Sequence, residues 1–170
     1  MNGSTSRIVG SVVAMLVVGT LAGCAVKSVA TKDSIGWPLT SAQTSGQEMA
    51  VLKAGDETMT LAIADTEDER TLGLGYREEL PNDGMLFVID PAAQTSIWMK
   101  GMRFPLDVAW LRDGKVIWVE HNMPVADPAQ AEPPIYGPSE SVDAIIEVAA
   151  GSAEAKGLTK GSRVRIVELQ

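Results

Sequence analysis

Between Ser96 and Trp110 two tryptophans, two methionines, a lysine, an arginine and an aspartate interrupt an otherwise apolar run. Just beyond, Val108-Ala109-Trp110-Leu111-Arg112 and Lys115-Val116-Ile117-Trp118-Val119 flank Asp113-Gly114, a two-residue hairpin signal. Pairing outward from that turn sets Leu111 against Val116, Trp110 against Ile117, Ala109 against Trp118 and Val108 against Val119. One further step sets Asp107 against Glu120. Directly opposed residues have Cβ atoms about 4.5 to 5.5 Å apart, so two carboxylates there repel unless a cation intervenes or one keeps its proton. Lys100, or Arg103 in the intervening loop, is placed to supply that charge. The pattern predicts a polar cluster of Asp107, Glu120 and Lys100 at one end of the domain, with Trp98 and Trp110 lining an adjacent cleft. Such a cluster could serve a small-ligand pocket or a general acid/base pair. The plainer readings are a frayed hairpin end with solvated carboxylates, or Asp107 capping local backbone amides after Pro105.

Other chemistry is thinly represented. His121 is the sole histidine, and its neighbours Glu120, Asn122 and Asp127 do not repeat a zinc spacing. Met99, Met102 and Met123 could hold soft Cu(I), although methionine without a repeated spacing reads first as core filler. There is no Gly-x-Ser-x-Gly elbow and no phosphate loop, and Gly73-Leu74-Gly75 follows a helix start where a dinucleotide signature would open one. No catalytic residue, metal ligand or cofactor is assigned.

The elements that must position these groups are mostly strands. Thr58 to Asp65 alternates with period two, placing Met59, Leu61 and Ile63 on one face. Thr66 with Glu69 makes a capping box, with Glu67 and Asp68 in the first turn, so a short helix runs from about Glu67 to Leu74. Pro81-Asn82-Asp83-Gly84 is turn chemistry, Met85 to Ile89 reads as a buried strand closed by Asp90-Pro91, and Thr95 to Met99 reads as the next. The five prolines from Pro124 to Pro138 indicate a long ordered loop, and Tyr136 within it joins the candidate pocket. Ser141 to Val148 is another strand, Ser152 caps one helical turn ending at Gly157, and Arg163 to Leu169 closes the domain. Both faces of the Asp113-Gly114 hairpin are apolar, so both must be covered. The expectation is an α+β, mainly β domain over 49–170, a small closed or sandwiched barrel-like sheet with two short helices.

The formal charge of -8 and the lack of any Lys/Arg block argue against nucleic acid as a partner. The 45% hydrophobic content suffices for one core. Arg7 precedes an apolar run, Ile8 to Val18, shorter than the roughly 20 residues that span a bilayer, and small residues follow it. Residues 1–23 therefore read as an export signal. Leu21-Ala22-Gly23-Cys24 resembles the lipobox of bacterial lipoproteins, in which the cysteine is acylated. Cys24 is the only cysteine, so no intramolecular disulfide is possible. More than one acyl chain gives a stable anchor at about 0.8 kcal/mol per buried methylene. Residues 24–48, rich in Ser, Thr, Ala and Gly, read as a lipidated flexible tether in which Trp37 is solvated.

Taken together, Arg70-Thr71-Leu72-Gly73-Leu74, Gly84-Met85-Leu86-Phe87, Trp98-Met99-Lys100, Pro105-Leu106-Asp107, Tyr136-Gly137, Glu147 with Gly151, Gly157-Leu158 and Gly161 resemble the domain of unknown function 192 family over about Thr58 to Val167. Departures fall at Gly75 and Gly101-Met102, where the family usually has Met and Asn-Thr. The resemblance implies a compact β-rich domain, often exported.

The leading expectation is a membrane-tethered, exported binding or accessory domain on the outer face of a bacterial membrane, at the periplasmic side or the cell surface. Its partners would be the bilayer, through Cys24, and a small ligand or envelope protein at Trp98, Lys100, Asp107, Trp110, Glu120 and Tyr136. The alternatives are an envelope hydrolase or lyase using Asp107 and Glu120, and a structural envelope protein. Asp107→Asn separates the three: an enzyme loses turnover with the fold intact, a binder loses ligand affinity, and a structural protein changes only its melting temperature.

Overall fold

The computed structural model describes residues 36–170 except Gln47, Pro128 and 130–132. The expected signal segment, Cys24 and most of the tether lie outside the described residues. The domain is α+β and mainly β. Its elements are α1 (Ser41–Thr44), β1 (Met49–Ala54), β2 (Glu57–Ala64), α2 (Glu67–Leu72), β3 (Gly84–Ala93), β4 (Ile97–Trp98), β5 (Leu106–Arg112), β6 (Lys115–Met123), β7 (Ile135–Tyr136), β8 (Val142–Ala149) and β9 (Val164–Leu169).

Seven strands form one sheet in the order β6-β5-β8-β3-β2-β1-β9, while β4 and β7 pair separately. Among the described strands only β2 and β3 run parallel, joined through α2, and the other neighbours are antiparallel. Along β8, Ala144, Ile146 and Val148 enter one apolar cluster and Ile145 the other, as period-two alternation requires. The first cluster covers one side with residues such as Leu52, Met59, Leu61, Leu86, Leu111 and Ile166. The second gathers Leu74, Phe87, Met99, Met102, Trp110 and Met123 beneath α2 and the loops. Both faces are covered, as the apolar hairpin demanded.

The hydrogen-bonded ladder does not close into a barrel. The edge strands β6 and β9 meet at one end only: Val116 N–H donates to Ser162, Val164 N–H to Gly114, and Gly161 N–H to Val116. Trp37 seals that seam. Its indole N–H donates to the Val164 carbonyl at 2.8 Å, and its ring lies where a Cβ on Gly114 would come within 2.5 Å. Leu39 is fully buried and α1 begins with a Thr40/Gln43 capping box. The expected solvated Trp37 is therefore corrected, because Leu39 joins the first apolar cluster and Trp37 packs against it.

The hairpin register also differs from expectation. Arg112 faces Lys115 and Leu111 faces Val116, but Trp110 faces Trp118, Ala109 faces Val119 and Val108 faces Glu120. A bulge at Ile117 causes the slip and lets that side chain pack on the second cluster. A second irregularity follows, and Leu106 then faces Met123. The segment after Ser152 forms consecutive turns and no regular helix, so the second short helix is α1. The proline-rich loop contributes β7, which pairs with the shortened β4.

Gly84 permits the close approach of β3 and β8: at φ +145, its Cβ would stand 1.9 Å from the Glu147 carbonyl oxygen. Gly84→Ala should force the two strands apart and cost about 1–3 kcal/mol or more, read as a lower urea midpoint with unchanged slope.

Candidate functional site

Strand β8 carries a carboxyl into this buried frame. Glu147 points to the same side as Ile145, and its cross-strand neighbours are Met85 on β3 and Val108 on β5. It is 4% exposed. Among the described residues no donor reaches its carboxyl, and burial alone pushes its pKa up to about 8. A carboxylic acid in such surroundings keeps its proton at neutral pH because the anion has lost water and gained no partner.

Glu147 lies in the wall of a cavity of about 310 Å³. Leu74, Phe87, Ile97, Met99, Leu106 and Ile145 supply most of the apolar lining, while Glu67, Arg70, Thr95, Ser96 and Lys100 contribute polar groups. Helix α2 forms one lip. It is set by the Thr66/Glu69 capping box, in which the Glu69 carboxylate accepts the Thr66 and Asp65 N–H groups and titrates below its ordinary value. Arg70 ties the helix to the sheet by donating through Nη1 to the Asp65 and Val88 carbonyls. Strand β4 contributes Ile97 and Trp98 to the lining and is backed by β7, with Trp98 facing Ile135. Trp98 and Leu72, both in the lining, are 53% and 57% exposed and leave an apolar rim. The Lys100 ammonium stands 5.3 Å from the centroid of the Trp98 ring.

Of the residues singled out from sequence, Trp98 and Lys100 line this cavity, whereas Asp107, Trp110, Glu120 and Tyr136 are not among its lining. Trp110 is fully buried in the second cluster, and its indole nitrogen has no partner among the described residues. Tyr136 packs on that cluster from β7. Glu120 accepts a long 3.4 Å bond from Trp118. Arg103 pairs with Glu78.

Asp107 and Glu120 are not opposed in the ladder, so the geometric premise of an acid/base pair there fails. Asp107 is a fully buried backbone clamp. Its oxygens accept the Asn122 N–H at 2.8 Å and the Ala153 N–H at 2.9 Å, with Gly151 N–H also contributing. Burial would raise its pKa, but these amides and the nearby His121 hold it below the usual aspartate value. Among the described residues no three His, Cys, Asp or Glu side chains gather as for a metal ion. Met99, Met102 and Met123 are buried in the second cluster.

Glu147 is the residue that sequence reading left out of the site, although it stood among the family landmarks. One signal was available: an ionisable residue inside Val142 to Val148, a strand whose length and apolar character make it central.

Residues 50–166 match the sequence model of the domain of unknown function 192, described as "uncharacterized ACR". The chain belongs to this family. Two solved structures share the DUF192 fold seen here. A protein from Sinorhizobium meliloti 1021, provisionally described as a transcription regulator, is 26% identical with a TM-score of 0.60, covering 71% of this chain and 93% of its own. A protein of unknown function from Novosphingobium aromaticivorans DSM 12444 is 22% identical with a TM-score of 0.57, covering 79% and 93% respectively. Among curated proteins none matches this DUF192 chain in sequence.

The raised pKa of Glu147 sets a pH dependence. Folded protein keeps a proton that the unfolded chain releases near the ordinary glutamate value of 4.5, so stability falls from there until about pH 8. Glu147→Gln should therefore gain stability relative to the parent across that window and hold a constant difference above it, measured by urea unfolding at successive pH values.

Proposed function

We propose that this DUF192 protein is an exported, membrane-tethered binding domain that holds a small ligand in the cavity walled by Glu147, without itself catalysing a reaction. The observation that carries the reading is the unpartnered, buried carboxyl facing a cavity of about 310 Å³. That volume lies at the lower end of the roughly 300–1,000 Å³ typical of small-molecule sites, so a compact ligand is favoured. A binding role is supported by the ladder partners of Glu147, Met85 and Val108, neither of which carries a group that could exchange a proton with it. The tether rests on the Leu21 to Cys24 lipobox pattern behind a short apolar run. The chain's charge of -8 and lack of a basic stripe disfavour a DNA backbone as its partner.

Two measurements test the reading. The parent chain expressed in a bacterium should sediment with membranes and incorporate labelled palmitate, whereas Cys24→Ser should do neither. The Cys24→Ser chain should then show ligand-dependent rises in melting temperature in a panel of sugars, amino acids, amines, nucleotides and cell-wall fragments. A hundredfold excess over Kd is worth about 2.7 kcal/mol. A soluble, unlabelled parent chain overturns the tether, and a silent panel overturns the cavity as a ligand site.

A further inference from the structure

We infer that the cavity takes a small organic amine with an apolar body, which seats its nitrogen against Glu147 while that carboxyl releases its proton to solvent. This deepens the reading of the cavity as a ligand site and rests on it.

The starting point is what Glu147 lacks. It is 4% exposed, faces the cavity, and receives no hydrogen bond or ion pair from any described residue. An ionised carboxyl is an acceptor only, and in a dry site it needs both donors and an opposite charge. An alcohol or amide could bond the neutral acid but would leave the charge of the ionised form unpaired. A carboxylate or phosphate would add a second negative charge. A protonated amine supplies up to three N–H donors and the charge together. The exchange balances: the neutral acid and the incoming ammonium become an ion pair, and one proton leaves to water.

The surroundings fit such a ligand. Phe87, Leu106 and Ile145 offer an apolar wall for its body, and the modest volume limits that body to a short alkyl chain or a single ring. The charged groups facing the cavity come from two elements, Glu67 and Arg70 on α2 and Lys100 beyond β4. The flanking strands β3 and β5 present Met85 and Val108, which carry no charge. Arg70 is occupied by the Asp65 and Val88 carbonyls, and Lys100 lies over the exposed Trp98 ring at the rim. The acidic chain as a whole raises the local concentration of cations.

The test is calorimetric titration of the Cys24→Ser chain with butylamine and benzylamine against butanol, benzyl alcohol and benzoate. Each titration is repeated from pH 6 to 8.5 in two buffers of different ionisation enthalpy. The amines should bind in preference to the alcohols and benzoate, with release of close to one proton at neutral pH. Their Kd should fall about tenfold per pH unit up to the carboxyl's pKa and then level off. Glu147→Gln, if folded by its melting curve, should bind amines at least about tenfold more weakly and lose the pH dependence. The proton count and pH profile of the parent decide the matter even where that variant does not fold. Alcohols binding as tightly as amines, pH-independent amine binding, or undiminished binding by Glu147→Gln overturns the inference while leaving a ligand site. Silence from amines, alcohols and benzoate alike, together with a silent wider panel, overturns both.

Discussion

Strand β8 is hydrogen-bonded on both sides, to β5 and β3, and covered on both faces by apolar layers. Most of the molecule's organisation follows from that confinement. Seven of its eight residues, Val142 to Val148, are buried, including both acids. Asp143 resolves its burial by accepting the Asp113 N–H at the hairpin turn with one oxygen, while its other oxygen has no partner among the described residues. Burial raises its pKa despite that bond. Glu147 has no such amide within reach among the described residues and is left facing the cavity. One strand thus holds two buried carboxyls, the first used to fix a turn and the second left with its bonding capacity unspent.

Asp107 shows how differently the same functional group is treated one strand away. Three backbone N–H groups converge on it, so it is held ionised and joins the end of the β5–β6 hairpin to the 151–153 turn. Lys156, further along that turn, bonds Asp83 at 2.6 Å, and Asp83 in turn accepts the Thr60 N–H. The irregular chain after β8 is therefore pinned near its start and at its middle by carboxylates. An acid that completes backbone valences stabilises a fold; an acid that completes none is retained at a cost, which is the usual mark of a functional position.

Period and turn chemistry were legible in the sequence. The Thr66 capping box, the Asp113-Gly114 turn and the two-sided apolar character of its strands led to α2, the β5–β6 hairpin and a sheet covered on both faces. The site was less legible. A hairpin register counted outward from its turn is only as good as the absence of bulges, and the bulge at Ile117 moved Asp107 off Glu120. Lys100 and Trp98 were found because they are polar and aromatic residues in a loop, where side chains are free to line a mouth. Glu147 was passed over because the apolar run around it marks a central strand without saying which side chain meets a cavity; that is decided by strand order, a long-range property. Trp37 was misplaced for the same reason, since its docking site is made by Gly114 and Val164, distant along the chain.

The seam that Trp37 covers has a mechanical meaning. The chain enters the described domain at Gly36, and the first strong attachment it makes is the indole of Trp37 against the ends of β6 and β9. Any tension arriving from the N-terminal side is delivered there, across the one place where the sheet's two edges touch. Beyond it, β1 is inserted between β2 and β9, where a pull along the strand must shear several parallel-loaded hydrogen bonds at once. Trp37, with the buried Leu39 and α1 behind it, therefore meets any such load before the strands of the sheet do.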